Sequence, residues 1–394
     1  MKSHLWLPFT QMSEFDPQRR NFVGGFGTML EDAQGRRVYD AVSSIWTTIH
    51  GHCHPRIVEA IARQAATLDH ATLLGATNPL AEELAERLCA LTGMDRVFFA
   101  SDGASAIEAA IKMALQYWQN AGQPHRTRFV RLRGAYHGDT VGAMSLSDIA
   151  LFKSRFGKVT FSSRTFDDAK PLEPDVAAVI VEPLIQAAAG MQLVPARAYE
   201  RLKNVKPILI CDEIATGFGR TGTMFALEQV AAPQWDIICV GKGLSGGALA
   251  LSATLVRRHV FDAFLGDRES LVHFFHGHSY AGNPIACAAA LASIALFDEE
   301  KTLERAKGIA KRVAANGEAL RAHPLVRDVR QAGTMAGIEL NPDGQPIADA
   351  LYDAGHFTRP IGNVIQFVPP LSSADAEVDL FFEALHDALP VSSE

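Results

Sequence analysis

The chain has 394 residues, 48% of them hydrophobic and 21% charged, with a formal net charge of −7 at pH 7. That length accommodates a large domain plus a smaller one, and that apolar content excludes wholesale disorder. The acidic balance argues against nucleic-acid binding, and no basic run suggests an anionic membrane surface.

The opening stretch, MKSHLWLPFTQM, has no continuous apolar run and no small-residue cleavage site, so it reads as an N-terminal arm rather than a secretory leader. GTMLEDAQGRRVYDAV alternates around an Asp-Ala-Gln-Gly turn and predicts a hairpin. HGHCHP follows as a Gly-punctuated turn, and helical spacing then covers Pro55–Leu68 and Pro79–Leu91. From Arg96 strands and helices alternate. RVFFA, FVRL, AAVIV, ILIC and IICV are short apolar runs of the kind buried on both faces of a parallel sheet, and LSATLV adds one more strand. Ala104–Trp118 reads as a helix. The expected fold is therefore α/β, a mostly parallel mixed sheet sandwiched by helices. A long helix beginning near Asn283–Pro284 carries the chain out of this unit. Charged helices and the strands VRDVRQAG, MAGIEL and NVIQFVPP then predict a smaller α+β domain. The expected division is 1–45 (arm and short strands, joining the small domain), 46–285 (large domain) and 286–394 (small C-terminal domain).

Five cysteines, odd in number and without C-x-x-C spacing, fit a reducing compartment. The longest uncharged apolar stretch, Pro284–Phe297, is too short to span a bilayer. A cytoplasmic protein is expected, with no membrane or nucleic-acid partner.

Two of the apolar runs lead into an ionisable residue: Asp212 follows ILIC, and Lys242 stands just beyond IICV. An isolated buried charge is costly, so each needs a partner or a task. At the carboxyl ends of neighbouring strands both would face one crevice. Glycines on each side of Lys242 leave room beside its amine. A lysine forming a Schiff base with a carbonyl cofactor, and a carboxylate pairing with that cofactor's pyridinium nitrogen, explain both residues. A structural Lys–Asp ion pair is the alternative. SDGAS, Ser101–Ser105, joins a strand to a helix N-terminus, where backbone N–H groups bind phosphate and Gly103 allows close approach. Tyr136 in GAYHGD is placed to stack on a ring or simply to pack in its loop.

Three other classes compete for these residues. GFGRTG (Gly217–Gly222) matches G-x-G-x-x-G and would suit a nicotinamide dehydrogenase, but DEIAT separates it from its strand. His50, His52 and His54, with His273, His276 and His278, would suit a zinc hydrolase, but HExxH is missing. A non-catalytic regulator lacks any attached basic helix-turn-helix segment.

SDGASAIEAAIKMALQYW, GAYHGDTVGAMS, VEPLIQAAAGM, DEIATGFGRTG, VGKGLSGG and HGHSYAGNP together resemble the class III pyridoxal-phosphate aminotransferases of fold type I, over most of the chain. HLWLPFTQM, KMALQYW and TRPIGNVIQFVPP are similar to the branch serving biotin synthesis, which aminates 8-amino-7-oxononanoate to 7,8-diaminononanoate. The resemblance implies pyridoxal 5'-phosphate as cofactor, Lys242 as Schiff-base lysine, Asp212 at the pyridine nitrogen, Tyr136 and Ile214 on the two ring faces, and Gly103 and Ala104 in the phosphate turn. Ala104 replaces a hydroxyl residue common there, which shifts a hydrogen bond to Ser105. Ser279, preceded by His278, falls on a segment lent to the neighbouring subunit's phosphate, implying a homodimer with shared active sites. Arg359 falls where the substrate carboxylate binds, and Phe9, Ile45, Trp46, Tyr136 and Gly277 on substrate contacts. No metal is implied.

Members using S-adenosylmethionine as amino donor tend to carry two tryptophans where this chain reads SSIW, and HGPTF where it reads HGHSY. HGHSY, LPFTQM and ATLLGATN look more like the lysine-using branch, so the expected donor is S-adenosylmethionine or lysine, with the balance toward lysine. Shortened segments between Asp148 and Asp175 and near Asn341–Pro346 leave a general ω-amino acid or diamine aminotransferase as the alternative.

Overall fold

In the computed structural model, which describes residues 4–16, 19–167, 169–203, 205–230 and 234–390, the order of the central sheet explains where the chemistry collects. Its seven strands lie in the order Arg96–Ala100, Ser252–Val256, Ile237–Val240, Ile208–Asp212, Val176–Val181, Arg128–Arg131 and Arg164–Thr165. Ser252–Val256 runs antiparallel to both neighbours, and the other pairings are parallel. Every residue of Val176–Val181, Ile208–Asp212, Ile237–Val240 and Ser252–Val256 is buried, which is why VAAVIV, ILIC and IICV read as unbroken apolar runs.

The helix Gly103–Asn120 covers one face. Ala106, Ala109, Ala110 and Ala114 are buried along it, and such small side chains let a helix sit close to the sheet. The Thr254 hydroxyl donates to the Ala106 carbonyl at 2.8 Å, and the Trp118 indole N–H donates to the Ala177 carbonyl at 2.8 Å. The helix begins one residue before its predicted start because the Asp102 carboxylate caps it, accepting the Ser105 N–H at 2.9 Å.

The predicted hairpin forms from Met29–Asp32 and Arg37–Asp40. Phe22–Phe26 and His356–Phe357 extend it to four strands, so the N-terminal segment is paired with a C-terminal one. Val326–Ala332, Met335–Leu340 and Val364–Phe367 make an antiparallel three-stranded sheet. Ile338, Phe367, Phe381 and Leu385 share a core with residues of the helices Thr302–Leu320 and Gly344–Asp353. The helix Pro284–Glu299, capped by Asn283, crosses the expected 285/286 boundary between domains.

Elements that fed the rival readings have other tasks. GFGRTG opens no helix; Arg220 at its centre is fully buried and donates to the Thr48 carbonyl at 2.8 Å and the Pro369 carbonyl at 2.5 Å. It thereby ties two distant segments together. Burial pulls that guanidinium down to about 9, still charged at neutral pH. The alternating histidines point to three separate partners: His50 to Ser293 at 3.0 Å, His52 to Asp40 at 2.9 Å and His54 to Glu300 at 3.0 Å. Among the described residues no three metal-ligating groups converge, and no helix is long and apolar enough to cross a membrane. All five cysteines are free.

Candidate active site

A cavity of about 480 Å³ opens at the carboxyl ends of the parallel strands. Five of the seven strands deliver groups to it. Asp102, Gly103 and Ala104 follow Arg96–Ala100; Tyr136, His137, Gly138 and Asp139 follow Arg128–Arg131; Glu182 follows Val176–Val181. Asp212 ends Ile208–Asp212, Lys242 follows Ile237–Val240, and Trp46 and Ile214 add apolar wall. Seven of the sequence-predicted residues therefore meet in one place: Lys242, Asp212, Tyr136, Gly103, Ala104, Ile214 and Trp46.

The structural ion-pair alternative does not hold. Asp212 is 5% exposed, and its oxygens are engaged by His137 Nδ1 at 2.7 Å and by the Ile214 N–H at 3.1 Å. Among the described residues no ion pair or hydrogen bond joins it to Lys242. A carboxylate accepts, so His137 Nδ1 is the donor of this contact. His137 Nε2 is buried without a partner.

Lys242 Nζ lies 5.2 Å from the centre of the Trp46 ring. Burial holds its ammonium below the ordinary lysine value, with Asp212 and Glu182 opposing that shift. A lysine so perturbed presents more free amine at neutral pH, as a carbonyl-attacking nucleophile requires. Burial, reinforced by Asp212, drives the Glu182 carboxyl well above the usual carboxylate range.

The expectation that both glycines beside Lys242 leave room for its amine is corrected at Gly243. A Cβ there would meet Ile49 Cδ1 at 2.9 Å and Phe218 Cβ at 3.1 Å, so that glycine serves core packing. Gly103 and Gly138 instead shape the cavity. A Cβ on Gly103 would lie 2.7 Å from Ile214 Cγ2, and one on Gly138 would lie 2.5 Å from Ala104 Cβ. The first turn of the helix thus meets the cavity as nearly bare backbone, and its leading N–H groups have no intrahelical acceptor. Ser105 lies outside the lining, with its hydroxyl donating to Asp102 at 3.1 Å.

Tyr136 is fixed at both ends. Its N–H donates to Glu182 at 3.0 Å and its hydroxyl to Asp139 at 2.7 Å. Its ring meets Phe152 edge-on at 5.7 Å, Phe152 meets Phe9 at 5.2 Å, and the Arg359 guanidinium lies 5.8 Å from the Phe9 ring. Phe9 and Arg359 thereby connect to the cavity through aromatic contacts without lining it.

Ile45 and Trp46 belong to a turn that no local signal predicts. Ser43, Ser44, Ile45 and Trp46 all have positive φ, at 49°, 47°, 68° and 67°. A left-handed helical turn of non-glycine residues costs roughly 1–2 kcal/mol per residue, so its surroundings must hold it. Trp46 is buried, whereas Ile45 remains 36% exposed.

Gly277, His278 and Ser279 do not line this cavity within one chain. His278 Nε2 is buried without a partner, and a Cβ on Gly277 would touch Leu74. Sequence reasoning named no role for His137, Glu182 or Asp102. Glu182 ends the apolar run AAVIV much as Asp212 ends ILIC, and that signal was available; His137 stands beside Tyr136 and was passed over for the ring.

The family model for aminotransferase class-III matches residues 16–389. The chain is 39% identical to the adenosylmethionine-8-amino-7-oxononanoate aminotransferase of Aquifex aeolicus, over 98% of this chain and 96% of that one. It is 38% identical to the protein of the same name from Nitratidesulfovibrio vulgaris, over 100% of this chain and 81% of that one. The crystal structure of the Methanocaldococcus jannaschii enzyme of that name superposes with a TM-score of 0.91 at 37% identity, covering 98% and 97% of the two chains. An amine transaminase from an uncultivated Pseudomonas species, in its PLP-bound form, gives a TM-score of 0.90 at 31% identity, covering 98% of each chain. The strand-end cavity with its lysine and buried aspartate, and these likenesses along nearly the whole length, establish that the chain belongs to the class-III aminotransferases.

Proposed function

We propose that the protein uses pyridoxal 5'-phosphate to transfer an amino group to 8-amino-7-oxononanoate, giving 7,8-diaminononanoate for biotin synthesis. The observation that carries the chemistry is Lys242, a half-buried lysine with no hydrogen-bond partner among the described residues, in one cavity with the engaged carboxylate of Asp212. The acceptor rests on the names of the relatives, which match over nearly the whole chain.

The residues present fit the cofactor. The cradle at Gly103, which a Cβ would fill, suits a phosphate, and Ala104 adds a second first-turn amide. Tyr136 and Ile214 are assigned to the ring faces, Asp212 to the ring nitrogen and Lys242 to the carbonyl carbon. Ser105 supports the phosphate turn from behind through Asp102. His278 and Ser279 are assigned to the other subunit's site in a homodimer. When bound, pyridoxal phosphate supplies an electron sink for the carbanion left at the donor carbon.

The chain's own groups do the rest. His137 and the Ile214 N–H orient the Asp212 carboxylate, which is assigned to hold a proton on the ring nitrogen. Lys242, with its basicity lowered by burial, removes a proton from the donor carbon and in the second half delivers one to the acceptor carbon. Trp46 covers the amine and excludes water. Arg359 takes the substrate carboxylate with its guanidinium fork, and Phe9, Ile45 and Gly277 border the substrate path. We assign residues 46–285 to the cofactor domain and 1–45 with 286–394 to the smaller one, and place the enzyme in the cytoplasm.

Two observations favour different donors. The relatives' names carry adenosylmethionine, whereas HGHSY, LPFTQM and ATLLGATN resemble the lysine users and Ile45 stands where S-adenosylmethionine users tend to carry tryptophan. The experiment offers S-adenosylmethionine, lysine, ornithine, 4-aminobutyrate and alanine separately with 8-amino-7-oxononanoate and scores 7,8-diaminononanoate. Product with lysine or S-adenosylmethionine supports the assignment and names the donor. No product from any donor, in protein that carries its cofactor, overturns the biotin reading in favour of a general ω-aminotransferase.

A further inference from the structure

The left-handed turn Ser43–Trp46 requires a restraint, and Asp40 is built to be one. Its carboxylate is fully buried. Oδ1 accepts the Ser44 N–H at 3.0 Å, while Oδ2 accepts the Ser44 hydroxyl at 2.8 Å and meets His52 Nε2 at 2.9 Å. His52 is presented by the HGHCHP turn. There Gly27 and His52 exchange two backbone hydrogen bonds, 3.1 and 2.6 Å long, and a Cβ on Gly51 would meet the Gly27 carbonyl oxygen at 2.7 Å. The histidine pattern that looked like a metal site is thus partly the mount for this clamp.

The far end of the turn is held as well. The Trp46 indole N–H donates to Gln366 Oε1 at 3.0 Å, and Gln366 Nε2 donates to the Arg359 carbonyl at 2.6 Å. Both partners agree on the orientation of that amide. Asp40, the turn, Trp46 and Gln366 therefore form one connected frame between the cavity wall over Lys242 and the backbone of Arg359.

We propose that Asp40, oriented by His52, is a positioning residue for amino transfer: it holds Ser43–Trp46 left-handed and so fixes the Trp46 indole beside the Lys242 amine. Backbone strain kept next to a reactive group in this way is a pattern of functional sites. Without the carboxylate, three non-glycine neighbours and Ser44 itself favour negative φ, and the indole leaves its place. The proposal rests on Lys242 being the reactive amine.

The test uses Asp40→Asn and the milder His52→Ala, each alone and with Ser44→Gly, because glycine adopts a positive φ without steric strain. Asp40→Asn is expected to lower kcat/KM about 10- to 100-fold, the scale of a misplaced active-site group. It is also expected to change the near-ultraviolet circular dichroism of Trp46, identified by subtraction of the Trp46→Phe spectrum. Ser44→Gly is expected to restore most of both losses although it removes a hydroxyl. His52→Ala should give the same pattern at smaller amplitude. Folded Asp40→Asn with unchanged kinetics and an unchanged Trp46 signal overturns the proposal, as does a failure of Ser44→Gly to restore either. If Asp40→Asn does not fold, the His52→Ala pair decides by the same criteria. The Trp46 signal is read with and without pyridoxal phosphate, so it judges this clamp even in protein that shows no aminotransferase activity, an outcome that would overturn the functional reading instead.

Discussion

Gly103→Ala tests the cradle at the helix N-terminus with a single methyl group. The new Cβ would lie 2.7 Å from Ile214 Cγ2 and 3.1 Å from Cδ1, whereas carbon atoms pack at about 3.5–4.0 Å. Ile214 must therefore retreat by roughly 1 Å, and the cavity it lines is the space beside it. Overpacking of this size costs about 1–3 kcal/mol, partly offset in folding by up to about 1 kcal/mol of helix propensity gained over glycine. If the whole strain is expressed on binding, pyridoxal phosphate binds about 5- to 150-fold more weakly. The assay is a titration of stripped protein with pyridoxal phosphate, followed by absorbance, with thermal melting alongside. Ile214→Ala supplies the internal control: in that background Gly103→Ala should alter affinity by less than about twofold, since its clash partner is gone. Wild-type affinity in Gly103→Ala, or an equal loss in both backgrounds, would refute the close approach on which the phosphate assignment rests.

Asp212→Asn removes the charge assigned to the ring nitrogen yet keeps an acceptor for the Ile214 N–H, so turnover should fall about 100- to 1000-fold while the melting temperature stays within a few degrees. Unchanged turnover would contradict that role. Burial pulls the His50 imidazole from 6.5 down to about 4, aided by His54. The unfolded chain therefore binds that proton first, and the stability present above pH 6.5 declines as pH falls toward 4, by about 3 kcal/mol in all. Denaturant unfolding at pH 6.5 and 4.5 should show that loss, and His50→Gln should reduce it; an equal slope in the variant would count against the assignment. Arg359→Ala should raise KM for the carboxylate-bearing acceptor about 10- to 150-fold and leave donors without a carboxylate unaffected. An equal loss with a simple alkylamine donor, which has no carboxylate, would instead indicate a disturbed fold.

The central sheet was legible because burial on both faces leaves an unmixed apolar run, as in VAAVIV and IICV. The same absence of contrast hides direction: nothing in LSATLV reveals that Ser252–Val256 runs antiparallel to its neighbours. Asp212 and Lys242 were visible as ionisable groups at the ends of such runs, where physics demands a reason for them. Gly243 was misread because local spacing suggests room, while the atoms that need its missing Cβ belong to Ile49, far along the chain. The left-handed turn is the least legible feature. SSIW contains no glycine, and the groups its side chains and backbone meet, Asp40, Gln366 and the Val368 carbonyl, lie outside it. His137 was overlooked for a related reason, since its importance lies in a 2.7 Å contact with a residue on another strand.

The proposed chemistry stands on Lys242 being the amine that holds the cofactor in this cavity. Borohydride reduction of protein loaded with pyridoxal phosphate, followed by proteolysis and mass spectrometry, tests it most directly, because reduction makes the lysine–cofactor linkage permanent wherever it exists. One cofactor-sized mass increase per chain is expected, on the peptide containing Lys242, and it should be lost in Lys242→Ala. A label on a different lysine, or no label in protein that binds the cofactor, would contradict it.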